Sequence, residues 1–303
     1  MKSKINKRIV CAFLYPITKY GYPPKASKML TYIDEMASLG FSSIELEGIR
    51  EQHLTEVYDI KASIAKKIKD ENLTVPYFCG VLPGLASMDE KVRNDQLTLF
   101  EKACEVAAAL RSIGVLDNAP LPPFQFPDDI PIVRHYDEGV LNAAYLPRDL
   151  SWNSYWDQLV ATYRTACEIA HGYNLKYVMH PAVGVLASTA DGFLQFHDAV
   201  KMDNLRFNLD TANQFVMKEN LSLAMTRLKD HVDYIHVSDN GGLHVEHLAI
   251  GAGNIRWDVF FETLDAVGFK GHFGIDIGGS ESSVEDLDSA YIDAASFISG
   301  HLM

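Results

Sequence analysis

Four residues in the second half of the chain have the side chains of metal ligands. They are His180 in YVMHPAVG, Asp210 in RFNLDTANQF, His236 in YIHVSDNGG and Asp276 in HFGIDIGG. Each stands at the end of a short run rich in β-branched and aromatic residues, the composition of a strand. Side chains alternate between faces along a strand. Val178, Asn208, Tyr234 and Gly274 therefore share a face with the four, while Met179, Leu209, Ile235 and Ile275 point the other way. A lone strand-end aspartate is usually a turn or cap residue, and a histidine before Pro181 can simply be buried against a carbonyl. Four such ends on successive strands point instead to one shared site. Two imidazoles and two carboxylates suit Mn²⁺, Fe²⁺, Co²⁺ or Zn²⁺ better than Ca²⁺. The expectation is one divalent metal, Mn²⁺ first, with Zn²⁺, Fe²⁺, Co²⁺ or Mg²⁺ as alternatives.

Other polar residues cluster near the same ends. Glu45 and Glu47 lie two apart and so share a face, with Glu47 nearer the strand's C-terminal end. Either the two are a solvated pair, or Glu47 is a general base beside the metal, pulled down in pKa by the cation and up by burial. His244 and His247 sit in a Gly-rich segment after the seventh strand, either solvated or serving the site. Asp239 either orients His236 through its second nitrogen or caps the loop. Trp152, Trp156 and Trp257 read as helix-packing residues.

The elements that must position these groups alternate from end to end. Strands are expected at Arg8–Leu14, Ser43–Glu47, Leu73–Cys79, Ser112–Leu116, Leu175–His180, Leu205–Asp210, Val232–Val237 and His272–Ile277. Amphipathic helices are expected between them, at Lys25–Leu39, Thr55–Glu71, Asp89–Leu110, Trp152–Gly172, Ala190–Met202, Leu221–Leu228 and Trp257–Val267. A last helix should open at Ser282-Ser283-Val284-Glu285, which has the spacing of a capping box. Strict alternation implies a parallel sheet, and eight units with no G-x-G-x-x-G after the first strand favour a closed (β/α)8 TIM barrel over an open dinucleotide-binding sheet. The chain is expected to be a single domain over 1–303. Its one irregular stretch, Asp117–Leu150, is long and aromatic enough to be an ordered lid.

Composition narrows the partners. The 303 residues carry 40 acidic against 27 Lys and Arg side chains, a formal charge of −13, which disfavours a phosphate-backbone binder. Four scattered cysteines without a CxxC pair fit reduced thiols. There is no 18-residue apolar run. The expectation is a soluble, cytoplasmic protein acting on a small molecule, with neither nucleic acid nor membrane as partner; a homo-oligomer is compatible with it.

Several of these segments resemble the xylose-isomerase-like TIM barrels, which include sugar isomerases, sugar epimerases, inosose dehydratases and apurinic endonucleases. GFSSIELEGIR is similar to that family's second strand, NLDTAN to its sixth, YIHVSDNGGLHVEHLAIGAGNIRWDVFFETL to its seventh strand and loop, and GFKGHFGIDIGG to its eighth. HPAVG is nearest the inosose-dehydratase branch. The resemblance implies metal ligation by Asp210 and His236 directly. Asp276 and His180 stand where many members carry glutamate, and in ketose 3-epimerases those two glutamates move the protons. The nuclease branch needs further ligands where this chain has Asn213 and Val245, keeping only His247, so a three-metal phosphodiesterase is disfavoured. Asn213 and His247 are assigned to substrate binding, and Glu47 with His180 to catalysis. The implied function is metal-dependent isomerisation or epimerisation of a small sugar or polyol carbonyl compound through an enediolate. The alternatives are an inosose-type dehydratase and a catalytically inactive sugar-binding barrel. No Glu-x-Lys-Pro segment at the fifth strand supplies the lysine of a hydride-shifting xylose isomerase.

Overall fold

A computed structural model of the protein describes residues 5–127 and 135–302. Its strands are β1 (Ile9–Cys11), β2 (Leu46–Ile49), β3 (Tyr77–Val81), β4 (Gly114–Asn118), β5 (Lys176–His180), β6 (Leu205–Asp210), β7 (Val232–Val237) and β8 (His272–Ile275). All pair in parallel, in the order β1-β8-β7-β6-β5-β4-β3-β2. The ring closes between β1 and the approach to β2. There Cys11 N donates to Ser43 O at 3.0 Å and Glu45 N donates to Cys11 O at 2.9 Å. An open doubly wound sheet is thereby excluded, and the chain is a TIM barrel.

The strands are buried along nearly their whole length, as a parallel sheet covered by helices requires. The helices supply that cover from amphipathic faces. Glu90–Leu110 buries Phe100, Ala103, Cys104 and Ala107 on one stripe, opens with Asp89 accepting from Lys91 N and Val92 N, and stops at Arg111 in the left-handed conformation. Inside the barrel the rings of Tyr77 and Tyr234 stack 4.3 Å apart at 11°, one layer below His236. Gly274 makes room beside them, since a Cβ there would press on the Tyr234 ring and come within 2.9 Å of His236 Cδ2.

Three local expectations need correction. The apolar run expected as one strand over Arg8–Leu14 ends at Cys11, and Leu14–Tyr20 is helical. The last helix does not open at the Ser282–Glu285 box. It runs Leu287–His301, capped by Asp286, whose carboxylate accepts from Ser289 N at 3.0 Å. The helical stretch expected over Thr55–Glu71 begins earlier and divides into Arg50–Asp59 and Lys61–Asp70.

Candidate functional site

His180 ends β5, Asp210 ends β6, His236 lies one residue from the end of β7, and Asp276 follows β8. Parallel pairing sets Asp210 opposite His236, and the alternation of faces turns all four inward at the C-terminal mouth. Their donor atoms form an arc: His180 Nε2 lies 3.7 Å from Asp210 Oδ2, and His236 Nδ1 lies 3.8 Å from Asp276 Oδ2. His247, from the loop after β7, closes it into a ring, its Nε2 standing 3.9 Å from Asp210 Oδ2 and 3.7 Å from Asp276 Oδ2. All five side chains are buried.

Each histidine is held through the nitrogen that does not face the centre. His180 Nδ1 pairs with Asn208 Oδ1 at 2.9 Å, and because Asn208 Nδ2 donates to Tyr234 O, the Asn208 oxygen must accept and His180 Nδ1 must carry the proton. That leaves the Nε2 lone pair toward Asp210. His236 works the other way round: its Nε2 bonds Glu45 Oε2 at 3.1 Å, and Nδ1 faces the centre. The role of orienting His236 thus falls to Glu45, which also accepts from Tyr234 Oη and Phe13 N. Asp239 is instead a loop cap, accepting from Asn240 N, Gly251 N, Ile255 N and Trp257 Nε1.

The electrostatics follow from this packing. Burial pushes the His180 imidazole down to about 4, more than nearby Asp210 restores. Burial would lower His236 as well, but Glu45 and Asp276 outweigh it and bring it up to about 9. Burial alone would raise Asp210, yet the surrounding histidines, His247 foremost, hold it well below the ordinary carboxylate range. Asp210 Oδ1 caps the helix Thr211–Val216 by accepting from Asn213 N at 2.8 Å, while buried Oδ2 has no hydrogen-bond partner among the described residues. His236 Nδ1 is in the same condition. Buried polar atoms left without partners are costly, and a cation on the inner side of the ring would satisfy the Asp210 oxygen directly and His236 Nδ1 by taking the place of the proton it otherwise carries. The hard and borderline donors present fit a divalent transition metal.

Glu47, His180 and His236 line one cavity of about 30 Å³, together with Tyr22, Cys79, Asn118 and His135. The other residues singled out in the sequence lie elsewhere. Asn213 is buried behind Asp210, its side-chain Oδ1 and Nδ2 without hydrogen-bond partners among the described residues, and His247 belongs to the donor ring. His244 is largely exposed, 3.6 Å from Glu138. Trp152 and Trp156 pack along the helix Trp152–Gly172, and Trp257 packs against Phe260 and Phe261. Glu281 and His135 were not among the residues read from the sequence. Glu281 lies 3.1 Å from His247 Nδ1 and 3.6 Å from His135 Nε2, and the rings of His135 and His247 stack at 5.2 Å. Of the long segment expected as a lid, residues 128–134 lie outside the described residues. The flanking parts meet the mouth through His135, through Leu186 N donating to Pro120 O, and through the Gln125–Tyr145 bridge that ties the two arms together.

Fold and mouth together define a TIM barrel with a cluster of buried His and Asp donors at its C-terminal end. The chain belongs to the xylose isomerase-like TIM barrel family, whose model matches residues 33–299. It is 25% identical over 232 residues to the L-ribulose 3-epimerase of Mesorhizobium japonicum, covering 74% of this chain and 68% of that protein. It is 28% identical over 153 residues to an uncharacterised protein of Methanocaldococcus jannaschii, covering 45% of this chain and about half, 49%, of that relative. The apo crystal structure of the E. coli 3-keto-D-glucoside 4-epimerase superposes with a TM-score of 0.73 at 16% identity, over 97% of this chain and 100% of that one, a likeness of fold. Among the described residues no helix is long and apolar enough to cross a membrane.

Proposed function

We propose that this protein is a divalent-metal-dependent isomerase or epimerase of a small sugar or polyol carbonyl compound, with His180, Asp210, His236 and Asp276 as metal ligands and Mn²⁺ the first choice. The observation that carries the reading is the ring of buried donors, two of whose atoms have no partner among the described residues, with His180 and His236 of that ring lining one cavity together with Glu47. The epimerases among the similar proteins support the substrate class. When bound, a divalent cation there supplies positive charge that favours chelation of adjacent substrate oxygens and eases enediolate formation.

The chain's own residues do the rest. Glu47, buried and facing the same cavity as His180, removes the proton next to the carbonyl and can return it to the neighbouring carbon. His180 stays neutral near pH 7 because burial has lowered it to about 4, so it offers a lone pair and adds no charge. Tyr22 and His135 also line the cavity. A volume of about 30 Å³ holds about one water, so the residues above must part to admit a sugar and then close to exclude solvent. That is the action of a lid, which we assign to the segment 117–150.

A dehydratase is the second reading, and one observation favours it. Glu47 is the only carboxylate among the described residues lining the cavity. Inverting a carbon takes proton donors on both faces, whereas aldose–ketose isomerisation or loss of a β-hydroxyl can run on one. The test is to incubate the Mn²⁺-loaded protein with a panel of ketoses, aldoses and inososes in deuterated water and follow them by NMR. Deuterium next to the carbonyl with a new isomer supports the first reading, and deuterium with loss of a hydroxyl the second. If no compound exchanges while metal is bound, the enediolate chemistry is wrong.

A further inference from the structure

We propose that the N-terminal end of the barrel, opposite the mouth, carries a binding groove for a phosphorylated organic molecule. Lys7 and Pro76 lie just before β1 and β3, Ile113 lies just before β4, His272 opens β8, and all four line one groove. Strands begin at that end of the barrel, so the groove is separate from the His and Asp donors and from Glu47. The proposal goes beyond the metal reading above and does not depend on it.

Charge is the first ground. Lys7, Lys66, Lys69 and Arg111 line the groove, and among the described residues no carboxylate does. In a chain with 40 acidic against 27 Lys and Arg side chains, that is a local reversal of sign. The nearby carboxylates are already engaged, Asp70 with Lys66, and Asp34 and Glu71 with Lys67. Lys7, Lys69 and Arg111 make no ion pair among the described residues. A cleft lined by one sign of charge concentrates ligands of the other. Four cations call for two or more negative charges, which a phosphoryl or diphosphoryl group carries.

Size and floor are the second ground. The groove holds about 800 Å³, within the range of about 300–1,000 Å³ that small-molecule clefts occupy. Its floor is apolar, with Leu73 half-buried and Ile113 exposed. A bare inorganic anion would leave that floor to water. A phosphate attached to an apolar body, as in a nucleoside diphosphate, meets the cations and covers the floor at once.

Cations at helix ends also offset the helix dipole, and Lys69 and Arg111 stand at the ends of Lys61–Asp70 and Glu90–Leu110. That role does not account for Lys7, which is on no helix. Nor is it general, since Met29–Ser38 and Trp257–Ala266 end on the same side of the barrel with no basic residue in their last turns. Arg111 moreover holds φ +60°, a left-handed conformation that glycine adopts with least strain. A helix that needed only to stop there would do so better with glycine, yet the chain keeps a cation at the groove.

ADP serves as the probe, with EDTA present so that no metal can bridge it to the mouth. Equilibrium dialysis against the full-length protein should show saturable binding of one ADP per chain, weakening as salt is raised. Lys69→Ala and Arg111→Gly should each lower the affinity about tenfold, the loss of one charge-assisted hydrogen bond. Arg111→Gly keeps the helix end intact, so its effect is that of the missing cation. Lys91→Ala removes a charge from an exposed pair at the other end of the helix Glu90–Leu110 and should leave binding unchanged. Ile113→Ser should weaken ADP and leave inorganic phosphate as it was. The proposal is overturned if the wild type shows no saturable ADP binding, or if Lys69→Ala and Arg111→Gly both bind as the wild type does. Inorganic phosphate bound as tightly as ADP would overturn the organic class, because the apolar floor would then take no part.

Discussion

Glu45 Oε2 lies 3.1 Å from His236 Nε2, across 191 positions of sequence, and this contact decides which face of the imidazole looks into the barrel. Glu45 is almost fully buried and also accepts from Tyr234 Oη at 2.9 Å. Replacing it by Ala leaves three buried donors, His236 Nε2, Tyr234 Oη and Phe13 N, without this acceptor and frees the His236 ring to turn. We expect Glu45→Ala to lower Mn²⁺ affinity by about 10–100-fold, measured by chelator competition, with Glu45→Gln closer to wild type. Equal affinities for wild type and Glu45→Ala would show that His236 needs no such restraint.

The ligand and base roles separate by mutation. His236→Ala should abolish both metal retention and turnover, whereas Glu47→Gln should keep metal and lose rate, by about 10²–10⁴-fold for a lost general base. Metal analysis after dialysis, alongside solvent deuterium exchange of the substrate, distinguishes the two. Undiminished exchange in Glu47→Gln would move the base to another residue, with His180 the next to test.

Gly274 occupies its place because nothing larger fits against Tyr234 and His236. Gly274→Ala forces those rings to shift, and overpacking of a tight interior costs about 1–3 kcal/mol. A lower urea midpoint and weaker metal binding are expected together. A variant that is destabilised yet binds metal as the wild type does would show that the floor of the barrel and the donor ring move independently.

Asp117, at the end of β4, is buried between barrel and helices, accepting from Leu82 N at 3.1 Å and from Tyr177 Oη at 3.0 Å. Burial raises its carboxyl to about 7, more than those bonds lower it. The folded state therefore holds a proton that the unfolded chain releases near pH 3.8. This group's favourable contribution is complete below that pH and is lost as pH rises to about 7, a change on the order of 4 kcal/mol. Asp117→Asn keeps an acceptor and cannot ionise, so its stability relative to wild type should rise between pH 5 and pH 8 in urea titrations. A difference independent of pH would show that Asp117 is ionised in the folded protein throughout.

The parts of the site that were legible in the sequence are those governed by a strict period. His180, Asp210, His236 and Asp276 sit at strand ends, where alternation of faces and the shared mouth of a parallel barrel bring them together whatever the loops do. The outer partners follow no such rule. Glu45 reaches His236 only because β1 and β2 close the ring, and Glu281 reaches His247 only through the shape of the β8 loop. The continuous apolar run Ile9–Leu14 carries no period that would separate a strand from the start of the helix Leu14–Tyr20. At the last helix several Ser, Glu and Asp residues compete as caps, and the winner, Asp286, is picked by tertiary packing.

The stack of Tyr77 on Tyr234 turns the barrel from a tube into a cup. Under the function proposed above, a product would then back out through the mouth by which the substrate came, before another can enter. On the same reading, the end of a linear sugar that enters first would set which carbon comes to rest against Glu47. Under that proposal, the choice of reacting carbon would fall to the residues lining the cavity, Tyr22 and His135 among them, before any proton moves.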